Sequence, residues 1–425
     1  MHTQLLYRRA GHAALGVAFA AFLGGAWAQA QPPVTDWTSL MLPAPAGIVR
    51  WSASGMNNLG QVIGVGFTQY GPPEMAPVFY DGITSRTLPT PVDTRTTQAV
   101  AINDAGQILV ENRAVEEGPP YASGSRSSIT LHSGGVMTEI MPTGMRDARA
   151  VDLNNRGEVL MSGNMSNGYV SAVTGPSGTR YLAATGIEAL DLNNNGVVLY
   201  RNGFSQDSPP HLDDHGTVTR LGPADRTVHV WRLSDRDEVW GTMDSVLAGV
   251  ISSFVGGVAT PLPGNPRGSV GDVNDRGDVL MKLWDHPRTA FLYRDGVLTD
   301  LGVGIAGLTA VHGVSANNAG QVLFTGELDW GARRYLYFWD NGTVTNLTEV
   351  LYREAGDAAA LYGIGGVWLN DAGQVLFSSA GAELGPLLLS PVPEPGMLGL
   401  MLAGLFALFC TRRRSAGPAA AARPC

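Results

Sequence analysis

Cysteine is nearly absent. The 425 residues hold two, Cys410 and Cys425, both at the far C-terminal end. The body of the chain therefore has no thiol for nucleophilic catalysis and no disulfide to staple it. Lysine is scarcer still. Lys282 is the only one, and 37 acidic against 28 basic residues give a formal net charge of −9. That balance argues against a nucleic-acid-binding or anionic-membrane surface. Catalytic signatures are missing too: there is no H-E-x-x-H, no G-x-S-x-G and no G-x-x-x-x-G-K-[ST]. The eight histidines are scattered, and neither His286 nor His312 has a partner at metal-ligand spacing. No metal or cofactor is expected. Carboxylates are plentiful, so a glycosidase-type pair assembled from distant segments is the enzymatic route left open.

What the chain has in abundance is glycine, 55 residues of it, set in a repeat. Asn57-Asn58-Leu59-Gly60-Gln61-Val62-Ile63 returns as Asn103-Asp104-Ala105-Gly106-Gln107-Ile108-Leu109, and further copies start at Asn154, Asn193, Asn274, Asn317 and Asn370. A degenerate copy, Ser234-Asp235-Arg236-Asp237-Glu238-Val239, fills the one gap. Between copies stands a second element, such as Tyr293-Arg294-Asp295-Gly296-Val297 or Trp339-Asp340-Asn341-Gly342-Thr343. Asp-Gly or Asn-Gly between apolar and β-branched runs is a type I′ hairpin signal, because both central residues need positive φ. The Asn-rich element reads as a second tight turn, since Asn, Asp and Gly tolerate left-handed backbone. Apolar runs such as Val322-Leu323-Phe324 are too short for helices and read as buried strands.

Four short strands per unit, at a spacing near 45 residues, is the period of a β-propeller blade. The expected fold is all-β: a propeller of about eight four-stranded blades. Residues 37–42 lack a first hairpin arm before them and 387–390 lack a second arm after them. The two ends should thus complete one blade and close the ring, hiding both edges. Seven blades, or an open β-solenoid, are the alternative arrangements. Asp191-Leu192-Asn193-Asn194-Asn195-Gly196 matches the opening of a calcium loop. Leu199 and Asn202 stand where later ligands would be needed, however, and sister copies do not keep the pattern.

Both ends of the chain read as targeting segments. Arg8 and Arg9 precede the apolar stretch Ala13 to Phe22, and Ala26-Trp27-Ala28 and Ala28-Gln29-Ala30 offer small residues for cleavage. Residues 1–30 are therefore expected to be a secretory signal peptide. At the other end Pro393-Glu394-Pro395 is followed by a charge-free run, Met397 to Phe409, and then by Arg412-Arg413-Arg414. As a helix, 396–411 would span about 24 Å at ~1.5 Å per residue, short for a ~30 Å hydrocarbon core, with the arginines as a cytoplasmic stop. That order resembles the PEP-CTERM sorting signal of Gram-negative bacteria. The resemblance implies that the tail, 391–425, rests transiently in the inner membrane through 396–411. An exosortase-type enzyme would then cut at 393–395 and leave the protein at the cell surface or secreted.

The domain between, 31–390, resembles the extracellular HAF-type repeat. In its best copy Ala290-Phe291-Leu292-Tyr293 is followed by Gly296, Asp300-Leu301-Gly302 and Asn317-Asn318-Ala319-Gly320-Gln321-Val322, while Thr289 stands where the family has His. The expected role is a non-enzymatic surface or matrix scaffold that binds polysaccharide or an envelope protein. An extracellular carbohydrate-active hydrolase or lyase, with carboxylates at the propeller funnel, is the alternative. Two consecutive units carry an aromatic beside an acid after the turn and its strand, Trp284-Asp285 and Asp329-Trp330. An indole can stack on a sugar face while the carboxylate accepts hydroxyl hydrogen bonds, so these four are the candidate ligand residues; packing at the blade rim is the competing role.

Overall fold

The computed structural model describes residues 36–68, 75–91, 94–114, 127–182, 185–245, 249–286, 289–303, 305, 307–328, 333–355, 362–379 and 385–392. The signal segment, the Pro393-Glu394-Pro395 motif, segment 396–411 and Arg412 to Arg414 lie outside these residues, as do Asp329 and Trp330. Residues Trp37–Pro391 form one compact unit; of the second unit only Asp36 and Val392 are described, joined by a Val392 N–H···O bond to Asp36 of 3.0 Å.

Among the described residues, thirty-two strands group into eight antiparallel blades of four. We call the strands of each blade a to d, from the ring axis outward. In blade 1 these are Ile48–Met56, Val62–Thr68, Met75–Tyr80 and Ser85–Thr87. The blades that follow span 94–139, 146–181, 188–220, 228–261, 267–300 and 308–346. Blade 8 takes strands Tyr362–Leu369, Val375–Ser379 and Leu387–Pro391 from the C-terminal side, and its outermost strand, Trp37–Met41, from the N-terminal side. The two ends pair antiparallel from Trp37↔Pro391 to Met41↔Leu387, so the ring is closed by strands from both ends of the domain. Eight closed blades displace both the seven-bladed and the open-solenoid arrangements. The region around Ser234 forms a full blade.

Burial follows from position in the blade. The b strands are flanked on both faces by neighbouring blades, and Val239–Met243 is buried throughout. Outer d strands such as Val136–Glu139 are exposed throughout. The core is consequently a set of interblade layers: Trp51, Val62 and Val78 of blade 1 pack with Leu376 and Leu388 of blade 8. Trp37 sits edge-on to Phe338 of blade 7, ring centroids 5.0 Å apart. Each such fully buried apolar side chain contributes roughly 1.5–3 kcal/mol, which is how a domain without a disulfide among its described residues holds a closed ring.

One element departs from expectation. Residues Leu347–Ala355 form a helix after the d strand of blade 7. Asn346 caps it: its Oδ1 accepts from the Thr348 N–H (3.1 Å), and its Nδ2 donates to Glu349 Oε1 (2.9 Å). Asn346-Leu-Thr-Glu349 is a capping pattern legible in the sequence, but the strand repeat around it masks it.

Candidate functional site

The eight Asn-rich turns connect strands a and b and circle the axis at one end of the ring. Their chemistry differs from the sequence expectation. Only the fourth residue of each turn has positive φ, a glycine in seven turns (+73° at Gly60, +86° at Gly320) and Asp237 (+58°) in the degenerate one, whereas the leading residues do not. The Gly60 N–H donates to the Asn57 carbonyl (3.1 Å), making an ordinary turn closed by a left-handed glycine. Asparagine is needed for its side chain instead. Asn57 Oδ1 accepts from the Leu59 and Gln61 N–H groups, while Nδ2 donates to Gln61 Oε1 and to the Asn103 carbonyl in the next blade (2.9 Å).

That last bond propagates around the molecule. Asn103 donates to the Asn154 carbonyl, Asn154 to Asn193, and Asn193 to Ser234. From blade 6 the series resumes, from Asn274 to Asn317 and Asn370, and Asn370 returns to the Asn57 carbonyl at 3.1 Å. A second belt runs beside it, built by the next residue of each turn. The Asn58 N–H donates to Asp104 Oδ1, the Asp104 N–H to Asn155 Oδ1, and so on to the Asp371 N–H, which donates to Asn58 Oδ1. The amides of the first belt are buried with every donor and acceptor engaged, which makes it rigid, while the second belt is more exposed. Both belts are interrupted at one junction, between blades 5 and 6: in the first Ser234 has no amide to donate, and in the second the Asp235 N–H makes no bond to the next turn.

The belts surround a polar well of about 330 Å³ at the mouth of the ring. In seven of the eight a strands a bulge, for instance between Ala150 and Asp152 or Val230 and Arg232, falls beside the residue two places before the turn's leading residue. In blades 3 to 6 these residues are Asp152, Asp191, Arg232 and Asp272, and all four line the well. Their oxygens are engaged. Asp152 accepts from the Leu153 and Leu192 N–H groups, Asp191 from Leu192 and Leu233, and Asp272 from Ala316 (3.0 Å). Each thereby ties its blade to the next. Burial, reinforced by the adjacent Asp191 carboxylate, pushes the Asp152 carboxyl up to about 7. Burial likewise raises Asp272 and Asp275, the latter with help from Asp235 and Asp371. Among the described residues, no group of three or more His, Cys, Asp or Glu side chains converges as metal ligands do.

The loop after strand b lies at the opposite end of the ring. Trp284 is there, 66% exposed, its N–H donating to the Arg267 carbonyl at 2.7 Å. That exposure sets Trp284 apart from a rim-packing residue. Asp285 beside it pairs with His286 at 3.1 Å, a contact that holds its carboxyl below the usual range. The sequence pattern thus found an exposed indole and acid, while the belts and the well were not anticipated. The Asn repeated at one position in seven of the eight units was their signal.

Known proteins add the following. The profile of the PEP-CTERM protein-sorting motif matches residues 391–414. The motif implies export and sorting to the cell envelope or surface of a Gram-negative bacterium, with processing by an exosortase-type enzyme. No curated protein sequence matches the chain. Among solved structures, similarity extends to virginiamycin B lyase from Staphylococcus aureus (TM-score 0.42, 9% identity, covering 84% of this chain and 100% of that one). It extends also to the β-propeller domain of the Trilobed protease from Pyrococcus furiosus (TM-score 0.43, 12% identity, 71% and 98%) and to the acylaminoacyl peptidase of Pyrococcus horikoshii (TM-score 0.41, 10% identity, 74% and 55%). Likeness at this level carries nothing about ligand or reaction.

Proposed function

We propose that the chain is an exported cell-surface or extracellular-matrix protein whose HAF-type repeat scaffold, residues 31–390, binds polysaccharide or an envelope protein without catalysing a reaction. The observation that supports this reading is the employment of the mouth carboxylates. Asp152, Asp191 and Asp272 accept backbone N–H groups from the adjoining blade, so they act as interblade ties. Trp284 and Asp285, together with Asp329 and Trp330, are the proposed ligand contacts.

Two measurements test the proposal. Intact mass of protein from a native host should show a chain that starts near Gln29 or Gln31 and ends close to Pro393-Glu394-Pro395; a stable species still carrying Arg412 to Cys425 would reject the processing step. Trp284→Ala should leave the melting temperature within about 1 °C, because surface changes fall mostly within ±0.5 kcal/mol. It should weaken binding to the host's extracellular polysaccharide by about tenfold, the effect of losing one stacked aromatic. Unchanged binding removes Trp284 from the site.

A single observation favours the hydrolase or lyase reading: an Asp152 carboxyl held near 7 beside Asp191 resembles the environment of a general acid. Shortening of the host polysaccharide by purified protein, abolished in Asp152→Asn, would establish that reading over the scaffold.

A further inference from the structure

The break in the belts is more than a lost bond. Seven of the eight junctions place an N–H or amide donor of one turn on an oxygen of the next. At the junction of blades 5 and 6, Ser234 offers a hydroxyl in place of the amide, and the Asp235 N–H lacks the side-chain acceptor that Asn194 N–H has in Asp235 Oδ1 (2.8 Å). Arg232 enters the well at the same junction. Its side chain is 59% exposed and makes no hydrogen bond; the nearest carboxylate oxygen, Asp272 Oδ1, is 4.0 Å from Nε. Uncommitted donors and partly committed acceptors therefore face one cavity of about 330 Å³.

Charge decides what fits. An anionic ligand that reached Arg232 would meet Asp191, Asp272 and Asp275, whose fields surround the guanidinium. An ammonium directed at those carboxylates would meet Arg232. A neutral group that both donates and accepts on adjacent atoms satisfies both sets, and a vicinal diol does this. The volume lies at the low end of the ~300–1,000 Å³ range of small-molecule sites, room for one sugar ring and not for a run of chain. The surface exposed in the well is mostly polar, which disfavours an aliphatic or aromatic peptide side chain.

We infer that the well at the blade 5–blade 6 junction binds a single neutral monosaccharide unit through its vicinal hydroxyls, with Arg232 and the Asp235 N–H donating and Asp272 and Asp275 accepting. The inference rests on the polysaccharide reading but not on the Trp284 loop, which is at the other end of the ring.

The test is titration of the purified processed protein with methyl glycosides of glucose, galactose and mannose, and with glucosamine and methyl glucuronide as charged counterparts, followed by saturation-transfer NMR. At least one neutral glycoside should bind, and both charged sugars should bind about tenfold more weakly or not at all. Arg232→Leu should weaken that binding by about tenfold or more. Asp275→Ala removes one of the named acceptors at an exposed turn position; it should weaken binding by about tenfold while leaving the melting temperature within a few degrees, which separates loss of the site from loss of the fold. Preference for a charged sugar, or full binding by both variants, overturns the inference. If the whole host polysaccharide binds but no monosaccharide does, the well fails and the scaffold function stands. If neither binds, the polysaccharide reading itself fails.

Discussion

Gly320→Val is expected to destabilise the domain by roughly 4 kcal/mol, a drop in melting temperature on the order of 10 °C at the ~2–4 °C per kcal/mol typical of domains this large. Two independent terms add. Gly320 has φ +86°, where a β-branched residue is strongly disfavoured. A Cβ there would also collide with Nη2 of Arg294, whose guanidinium rests on the turn. Arg294 cannot withdraw freely, because it pairs at 3.0 Å with Asp278, a carboxylate 4% exposed that also accepts from Asn274 Nδ2. Displacing the cation leaves a buried charge with one partner fewer, the costly way to break such a pair. Gly342→Ala is the control. Gly342 has φ +89° in a hairpin turn, but nothing lies within 4 Å of its Cβ position, so only the backbone term of about 1 kcal/mol applies. Thermal melts of both variants check the difference. Equal melting points would mean that the Arg294–Gly320 contact contributes nothing.

The fold was legible because its determinants are local and repeated. Asp295-Gly296 and Asn341-Gly342 both have positive φ at the two central positions, as the hairpin reading requires. The unpaired arms 37–42 and 387–390 do complete one blade, from Trp37↔Pro391 to Met41↔Leu387. The site was less legible, for a physical reason. A repeated Asn reports equally on a backbone conformation and on a side-chain bond to another blade, and only the second depends on which turn is its neighbour in space. Asn57 and Asn103 are 46 residues apart, and nothing local to either specifies the 2.9 Å bond between them. Ser234 was visible as a degenerate copy, but its meaning as the break in a belt requires the ring. Trp284 was singled out by its place beside an acid after the turn and its strand; whether it was covered or exposed depended on packing that a loop sequence does not determine.

The carboxyl of Asp152 should give the domain a pH dependence opposite to that of salt-bridged acids. Held up to about 7 by burial and by Asp191, it keeps a proton in the folded state that an unfolded carboxyl near 3.9 has already lost. Between roughly pH 4 and 7 the folded state therefore binds more protons, and this group's contribution to stability falls as pH rises, levelling off above about 7. Its size is on the order of 2–4 kcal/mol, with the lower figure applying if Asp191 shares the proton. Asp272 and Asp275 are raised as well and add slope of the same sign, whereas Asp81 and Asp244 are lowered and oppose it. The comparison that isolates Asp152 is therefore parent against Asp152→Asn. Asparagine is always neutral, but its Nδ2 cannot accept one of the two backbone bonds that Asp152 receives from Leu153 and Leu192, a loss of about 1 kcal/mol. At pH 5 the variant should thus melt below the parent by a few degrees. At pH 8, where the parent must hold a buried carboxylate beside Asp191, the variant should melt at or above it. Two parallel stability curves from pH 4 to 8, with no crossing, would show that Asp152 titrates like an ordinary carboxylate and that the well does not hold its proton.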